Sequence, residues 1–410
     1  MSIDYSKVQT LKNIENALKE NYLNPWRNGL TTEPSALLGK TKKIPLKSNE
    51  IVATAPIGLS GGFGFGAEGF ATPEAGRVMY NRFKTYAKDM YVNIAISAKA
   101  VRLTGSGGSM VNALDSEVKA AYETAKWNVG RSLFGNGTGI LAKTETVSNS
   151  TTIALKKTDE EGNLLPDPTK YLKEGLIIDV YSQEATTDDV PQPNGKGLRI
   201  ASVDRVNKTV TVYGNSVTLE EGFITVQNSY GREITGLGAI FDDGITSIYG
   251  VDKASNAVLK PTVIDAGGNI EDGILWDAVE QAETYKNSKI DTMLMGKTAY
   301  KAYIDYLRTN NINIDIKTKD IVGGFKSLAY AFGNREIDMV YEQFIPDDEV
   351  WCVESGTLEL HTQEWDFADL QGGGIFNLME NSSVYRALLA NYGDLICTNP
   401  GGCVRIHNCA

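Results

Sequence analysis

The sequence predicts an α+β fold assembled from several units, and three stretches predict it. Residues 111 to 134 carry one long amphipathic helix, residues 141 to 262 are dense in short strands, and the chain beyond Gly268 mixes helix with strand. At 410 residues, with 42% apolar and 22% charged, the chain is long enough for two or three units around a buried core.

Residues 1 to 65 read as an arm. Val8, Leu11, Ile14 and Leu18 fall on one helical face, after which Pro25, Pro34, Pro45 and Pro56 interrupt regular structure. Such a segment orders by lying on the rest of the chain or on a neighbour. Gly64-Phe65-Gly66-Ala67-Glu68-Gly69 matches the GxGxxG pattern literally. A dinucleotide site needs a buried strand before the glycines and an unbroken helix after them. Here Pro56 and Gly58 precede, and Pro73 and Gly76 fall where the helix would run, so the glycines read as a hinge.

Residues 66 to 104 turn to strand. Val92, Ile94 and Ile96 alternate with Asn93, Ala95 and Ser97, while Tyr80, Phe83, Tyr86 and Tyr91 interleave with Arg77, Arg82, Lys84 and Lys88. The expectation is a two-stranded excursion with no sheet to join, made to contact another copy of the chain. Aromatics among basic residues also occur in single-stranded nucleic-acid sites. The formal net charge of -11 argues against a surface that neutralises many phosphates.

The helix is the best-defined element. Val111, Leu114, Val118, Tyr122, Ala125, Val129 and Leu133 keep a spacing of three or four and form one apolar stripe. Gly135 and Gly137 are placed to end it, and Leu114 to Phe134 would run about 31 Å.

In 141 to 262, Leu176, Ile177, Ile178, Val180, Leu198, Ile200, Val203, Val206, Val210, Val212, Ile224 and Val226 sit in short runs bounded by turn residues. These runs predict a small barrel or sandwich. Asn207-Lys208 reads as a hairpin tip, with Asn taking the left-handed angles. Farther on, Ile274, Leu275, Ala278, Val279 and Ala282 mark a helix. Thr292-Met293-Leu294-Met295 marks a buried strand, and Ala299, Tyr303 and Leu307 a second helix. Strands dominate from Ile337 to Leu360 and from Tyr385 to Ile406.

Charge is segregated. Residues 336 to 380 hold twelve acids and no Lys or Arg, whereas 66 to 104 hold six basic residues against three acids. Opposite signs on separate segments suit docking between copies, and they also occur as two solvated faces. Under the docking reading, Arg77, Arg82 and Lys84 meet a surface that includes Glu342, Asp347, Asp348 and Glu349.

Catalytic chemistry has little to draw on. The two histidines, His361 and His407, share outward strand faces with Glu359 and Arg405, away from any nucleophile and orienting group. Cys403, His407 and Cys409 share one parity. In a strand, however, Cys403 and His407 lie about 13 Å apart, too far for one zinc ion with bonds of about 2 Å. Asp347-Asp348-Glu349 after Pro346 reads as a solvated turn rather than an acid–base pair. No catalytic residue, cofactor or metal site is expected. Cys352, Cys397, Cys403 and Cys409 form no CxxC pair and read as free thiols of a chain made in the cytoplasm. No apolar run of membrane-spanning length and no signal core is present, so no membrane partner is expected.

The order of parts resembles the major capsid proteins of tailed bacteriophages, the Hong Kong-ninety-seven-type fold shared with encapsulins. The resemblance spans essentially the whole chain. It rests on the arm, the extended loop, and a helix stopped by Gly135-Asn136-Gly137-Thr138-Gly139. It rests also on the mixed α/β stretch and the returning strands Tyr392-Gly393-Asp394-Leu395-Ile396-Cys397 and Val404-Arg405-Ile406. It implies an N-terminal arm at 1 to 65, an E-loop at 66 to 104 and a peripheral domain with its spine helix at 105 to 140. A mostly axial domain at 263 to 350 and return strands of the peripheral domain at 351 to 410 complete it. The β-rich insertion at 141 to 262 departs from the basic pattern. Some members cross-link the E-loop through Lys and Asn; Lys84 lies in that loop, but no partner matches, so the chemistry is not carried over.

The resemblance further implies a structural protein, not an enzyme, that assembles with itself into hexamers and pentamers of an icosahedral shell. That shell encloses double-stranded DNA without binding it specifically, is built in the host bacterial cytoplasm with separate scaffolding and portal proteins, and ends as the virion capsid. An encapsulin-like compartment is the alternative within the fold. A cytoplasmic α/β enzyme is the alternative outside it, opposed by the lack of His, metal and phosphate motifs.

Overall fold

The computed structural model describes residues 23–57, 61–69, 71–97, 109–158, 166–183, 189–310, 318–321, 325–368, 377–379 and 382–409. The helix expected around Val8 to Leu18 lies outside them.

The longest strand, Val384–Cys397, organises a six-stranded sheet. Lys88–Ser97 runs antiparallel along it in ten registered pairs, from Val384↔Ser97 to Gly393↔Lys88. Leu358–Thr362 pairs with its C-terminal part, Asp366–Phe367 and Asn377–Leu378 with its N-terminal part, and Lys42–Pro45 adds in parallel beside Leu358–Thr362. This corrects the expectation that the strand around Val92 to Ile96 has no sheet to join. Its partner lies almost three hundred residues away, where no local pattern could announce it.

The second sheet has seven strands, in the order Thr262–Asp265, Val404–His407, Val350–Val353, Thr292–Met295, Arg335–Tyr341, Phe325–Phe332, Thr318–Ile321. Thr292–Met295 is buried at all four positions because it is flanked on both sides, parallel to Arg335–Tyr341 and antiparallel to Val350–Val353. Leu275, Ala278, Val279 and Ala282 of the helix Asp272–Lys286 are buried, as are Ala299, Tyr303 and Leu307 of Lys297–Thr309. The sequence expectation holds for both faces. The division at residue 350 does not match the sheets, since Val350–Val353 and Val404–His407 belong to the seven-stranded one.

The spine helix is Ser109–Phe134, 26 residues or about 39 Å. Val118, Ala125 and Leu133 are buried and Tyr122 and Val129 half-buried, while the side chains of Val111 and Leu114 lie outside those described. The stripe packs on the helix Asn24–Thr32 and on Ile94, Ala387 and Leu389 of the first sheet. Gly29 makes the crossing possible: a Cβ there would sit 1.8 Å from the Tyr122 hydroxyl. At the helix end the Leu237 N–H donates to Leu133 O at 2.8 Å, so the stop is tied to a distant segment as well as to the glycines.

The insertion forms a six-stranded antiparallel sheet, in the order Ile140–Thr144, Gly222–Val226, Ile177–Ser182, Leu198–Asp204, Thr209–Val212, Thr152–Ala154. Its two edge strands meet. Glu145 N–H donates to Ala154 O at 3.0 Å and Lys156 N–H to Lys143 O at 2.9 Å, closing the sheet into a small barrel around Ile153, Ile178, Val180, Ile200, Val210 and Ile224. Closure removes the free edges that would otherwise pair with other chains. The barrel ends at Val226. Ile234, Leu237, Ile240, Phe241, Ile248, Tyr249 and Leu259 return to the main core, so an insertion reaching to 262 is too long. At the hairpin tip Lys208, not Asn207, takes the left-handed angle, φ 59°. The Asn207 amide is engaged elsewhere, donating to Asp204 Oδ2 at 2.7 Å. Val206 is exposed in this turn rather than part of a strand.

Candidate assembly surface

The excursion begins earlier than the sequence suggests. Glu50–Ile57 pairs antiparallel with Met79–Tyr86 over eight positions, from Glu50↔Tyr86 to Ile57↔Met79. Strand alternation splits this ribbon into two faces. Ile51, Ala53, Ala55 and Phe83 are buried in the main core, whereas Val52, Tyr80, Arg82, Lys84 and Tyr86 are exposed on the other side.

Residues 61 to 69 and 71 to 77 beyond the ribbon are exposed throughout. Phe63 is 83% and Phe65 96% exposed, their ring centroids 5.3 Å apart. Two phenylalanines bare to water lose the free energy that burial would return, on the order of 2 kcal/mol each. The GxGxxG residues fall in this exposed loop, and residues 71 to 78 after it form no helix, so the arrangement a phosphate cradle needs is not built.

The exposed ribbon face is basic. Glu50 is shared by Lys84 at 3.2 Å and Arg82 at 3.8 Å, so one carboxylate serves two cations, and Arg77 adds a third exposed positive charge. Contact with Tyr86, and then with Glu50, raises the Lys84 ammonium above its usual range and keeps it charged.

Asp394 anchors the base of the ribbon. It lies in the long strand with no exposed surface and accepts from Thr85 Oγ1 at 2.6 Å, Thr235 N at 2.7 Å, Thr235 Oγ1 at 3.1 Å and Leu395 N at 3.0 Å. Burial raises its carboxyl, and the donors oppose that rise. With the Lys84 N–H on Tyr249 O at 2.9 Å, these bonds set the direction in which the excursion leaves the body. An acid inside the apolar run Asp394-Leu395-Ile396-Cys397 was the available sequence signal, because an acid is rarely buried without partners.

The acidic counterpart needs correction. Glu342 is 3% exposed; Ser35 Oγ donates to its Oε2 at 2.6 Å, and burial pushes its carboxyl up to about 7. Glu349 is buried between Arg405 and the Trp351 indole N–H, the latter at 2.7 Å. Neither is presented to a neighbour. Asp347 is half-buried beside Lys170, and its backbone oxygen receives Thr298 N and Ala299 N at the start of a helix. Asp348 is exposed. The run looks unpaired in sequence because its partners come from far along the chain: Lys40 on Asp338, Lys170 on Asp347, Arg405 on Glu349 and Arg27 on Glu364 and Asp366.

Contacts that the sequence did not disclose tie the barrel, and the connector that follows it, to the body. Arg131 and Glu233 form a buried two-bond pair at 2.9 and 2.5 Å, Lys173 stands 3.2 Å over the Trp127 ring, and the Tyr171 hydroxyl donates to Phe344 O at 2.7 Å. A cavity of about 400 Å³ at this junction is lined by Arg131, Tyr171, Glu233, Asp242, Trp351 and Arg405. His361 is half-buried with Nε2 3.4 Å from Glu359, on the face that alternation assigns to both. All four cysteines are buried free thiols. Among the described residues no group of three or more His, Cys, Asp or Glu could hold a metal, and no helix is long and apolar enough to cross a membrane.

No family model and no curated protein matches this chain. Solved structures do. A chain of the cyanophage A-1(L) capsid asymmetric unit, 10% identical, aligns over 92% of this chain and 94% of its own, with a TM-score of 0.51. An encapsulin complex from Synechococcus elongatus aligns at 9% identity over 90% and 85%, TM-score 0.44. The capsid of a native GTA particle aligns at 10% identity over 92% and 91%, TM-score 0.45. Of these three only the first has a TM-score above 0.5, and at 10% identity the likeness concerns the fold. This chain therefore has the α+β fold of a cyanophage capsid subunit, the fold that the order of its sequence elements resembles.

Proposed function

We propose that this chain is a major capsid subunit that assembles into the hexamers and pentamers of an icosahedral shell around double-stranded phage DNA. The observation that carries the reading is the excursion of residues 50 to 86, which offers a basic, tyrosine-rich face and two naked phenylalanines on a body with the capsid-subunit fold. In a shell this surface is covered by the adjacent copy. Head-to-tail contacts of that kind close into rings, and the angles between rings close the container.

The excursion takes the part of an E-loop, Ser109–Phe134 that of the spine helix, the six-stranded sheet that of a peripheral domain and the seven-stranded sheet mostly that of an axial one. Arg77, Arg82 and Lys84 meet carboxylates of the neighbour, with exposed Asp348 and half-buried Asp347 left from the expected set. A net charge of -11 suits a wall that encloses DNA without gripping it. Separate scaffolding and portal proteins, assembly in the host cytoplasm and a final place in the virion complete the reading.

Sedimentation and negative-stain electron microscopy test it on the chain expressed alone and with its phage's scaffold. Closed particles support the proposal. A species that stays monomeric under both conditions contradicts it.

A further inference from the structure

The chain passes between the two sheets through a short bridge. Cys397 is the last residue of the long strand of the six-stranded sheet, and Cys403 immediately precedes Val404–His407 of the seven-stranded one. Between them lies one tight turn, Pro400–Gly402, with Cys403 N–H on Pro400 O at 3.2 Å and Thr398 N–H on Thr357 O at 2.8 Å. The turn has no room to drift. A Cβ on Gly401 would lie 2.2 Å from Val258 O, and one on Gly402 2.6 Å from Ser288 Cβ. So held, the two sulfurs stand 3.9 Å apart, both buried, beneath the half-exposed Thr398 and Asn399.

We propose that Cys397 and Cys403 are a redox-modifiable pair that closes to an internal disulfide across this crossing when the protein meets hydrogen peroxide. The oxidant is small enough to reach a sulfur one layer below the surface. In the first step the Cys397 sulfur attacks one peroxide oxygen, the O–O bond breaks, and a sulfenic acid and one water result. In the second the Cys403 sulfur attacks that of Cys397; the S–O bond breaks and the hydroxyl leaves with the Cys403 proton as a second water. Two thiols thus supply the two electrons that reduce one peroxide. The sulfurs must close from 3.9 Å to about 2 Å, the length of a disulfide bond.

The order of events follows from the surroundings. The Cys403 thiol, and then the Thr357 hydroxyl at 3.7 Å, lie against the Cys397 sulfur and hold its thiol below the ordinary range. Burial pushes the other two thiols, Cys352 and Cys409, up to about 12, which keeps them protonated and slow. The closed pair pins the bridge between the sheets and limits their relative rotation.

The test exposes the folded chain to hydrogen peroxide, quenches it, labels thiols in denaturant and maps the product by mass spectrometry. The expected product has lost two hydrogens, keeps two labelled thiols instead of four, carries its disulfide within 397 to 403 and returns to four thiols with a thiol reductant. Its amide exchange at 398 to 402 is slower than in the reduced form. Four thiols persisting through an exposure that oxidises the chain's methionines, or a disulfide that maps to Cys352 and Cys409, overturns the proposal. In Cys403→Ser the same treatment adds one oxygen at Cys397; loss of two hydrogens in that variant also overturns it. Should the variant fail to fold, the map of the unaltered chain decides.

Discussion

Thr85 and Asp394, 309 residues apart in sequence, meet in a 2.6 Å hydrogen bond that fastens the root of the excursion to the long strand. Because the carboxylate is fully buried and Thr235 and Leu395 fill its other lone pairs, losing one donor leaves it under-satisfied. Thr85→Val keeps the shape and removes the donor. The expected loss is about 1–3 kcal/mol in urea unfolding, with assembly impaired beyond what that loss explains. Unchanged stability would show that the bond contributes nothing.

Glu342 makes stability depend on pH. Its carboxyl is raised from 4.5 to about 7 by burial, so the folded chain holds the proton more tightly than the unfolded one. The contribution is full below 4.5 and is lost as pH rises through about 7. The span corresponds to a few kcal/mol, on the order of 3. Urea midpoints at about pH 5 and pH 8 should differ in that direction, and Glu342→Gln should flatten the slope. A slope that survives the substitution assigns the effect to another group, such as Asp394, whose carboxyl is raised in the same sense.

Much of the architecture was legible where one face repeats locally. Leu275, Ala278, Val279 and Ala282 gave the face of their helix, and four apolar-flanked residues at 292 to 295 gave a central strand. The short runs between 141 and 226 announced the barrel. What stayed hidden depends on distant pairing. Nothing near Val92 indicates that its partner is Leu389, and nothing near Glu342 indicates Ser35. The acidic run was correct as composition and misleading as surface, because half-buried Lys40, Lys170 and Arg405 meet it inside the subunit.

Phe63 and Phe65 should matter for assembly alone. Both are nearly fully exposed, so replacing them with Ser costs the isolated chain within about 0.5 kcal/mol. The expected result is a folded subunit with an unchanged melting curve that no longer forms particles. Charge reversal of Arg77, Arg82 and Lys84 together should do the same, and normal shells from either variant would remove the excursion from the account.

Arg131 and Glu233 tie the connector that follows the barrel to the spine helix. Arg131→Met leaves Glu233 buried without its partner and should cost about 3–5 kcal/mol. The double variant with Glu233→Gln should recover part of that loss, because it also removes the stranded charge. A double variant no more stable than the single one would mean that packing, rather than the pair, sets the cost.

The most direct measurement is a cryo-electron microscopy reconstruction of particles formed by this chain, traced through residues 50 to 86. The expected map buries Phe63 and Phe65 against the adjacent subunit and lays the basic face of Met79–Tyr86 over its surface. Particles in which those phenylalanines remain exposed to solvent, or touch only their own subunit, would contradict it.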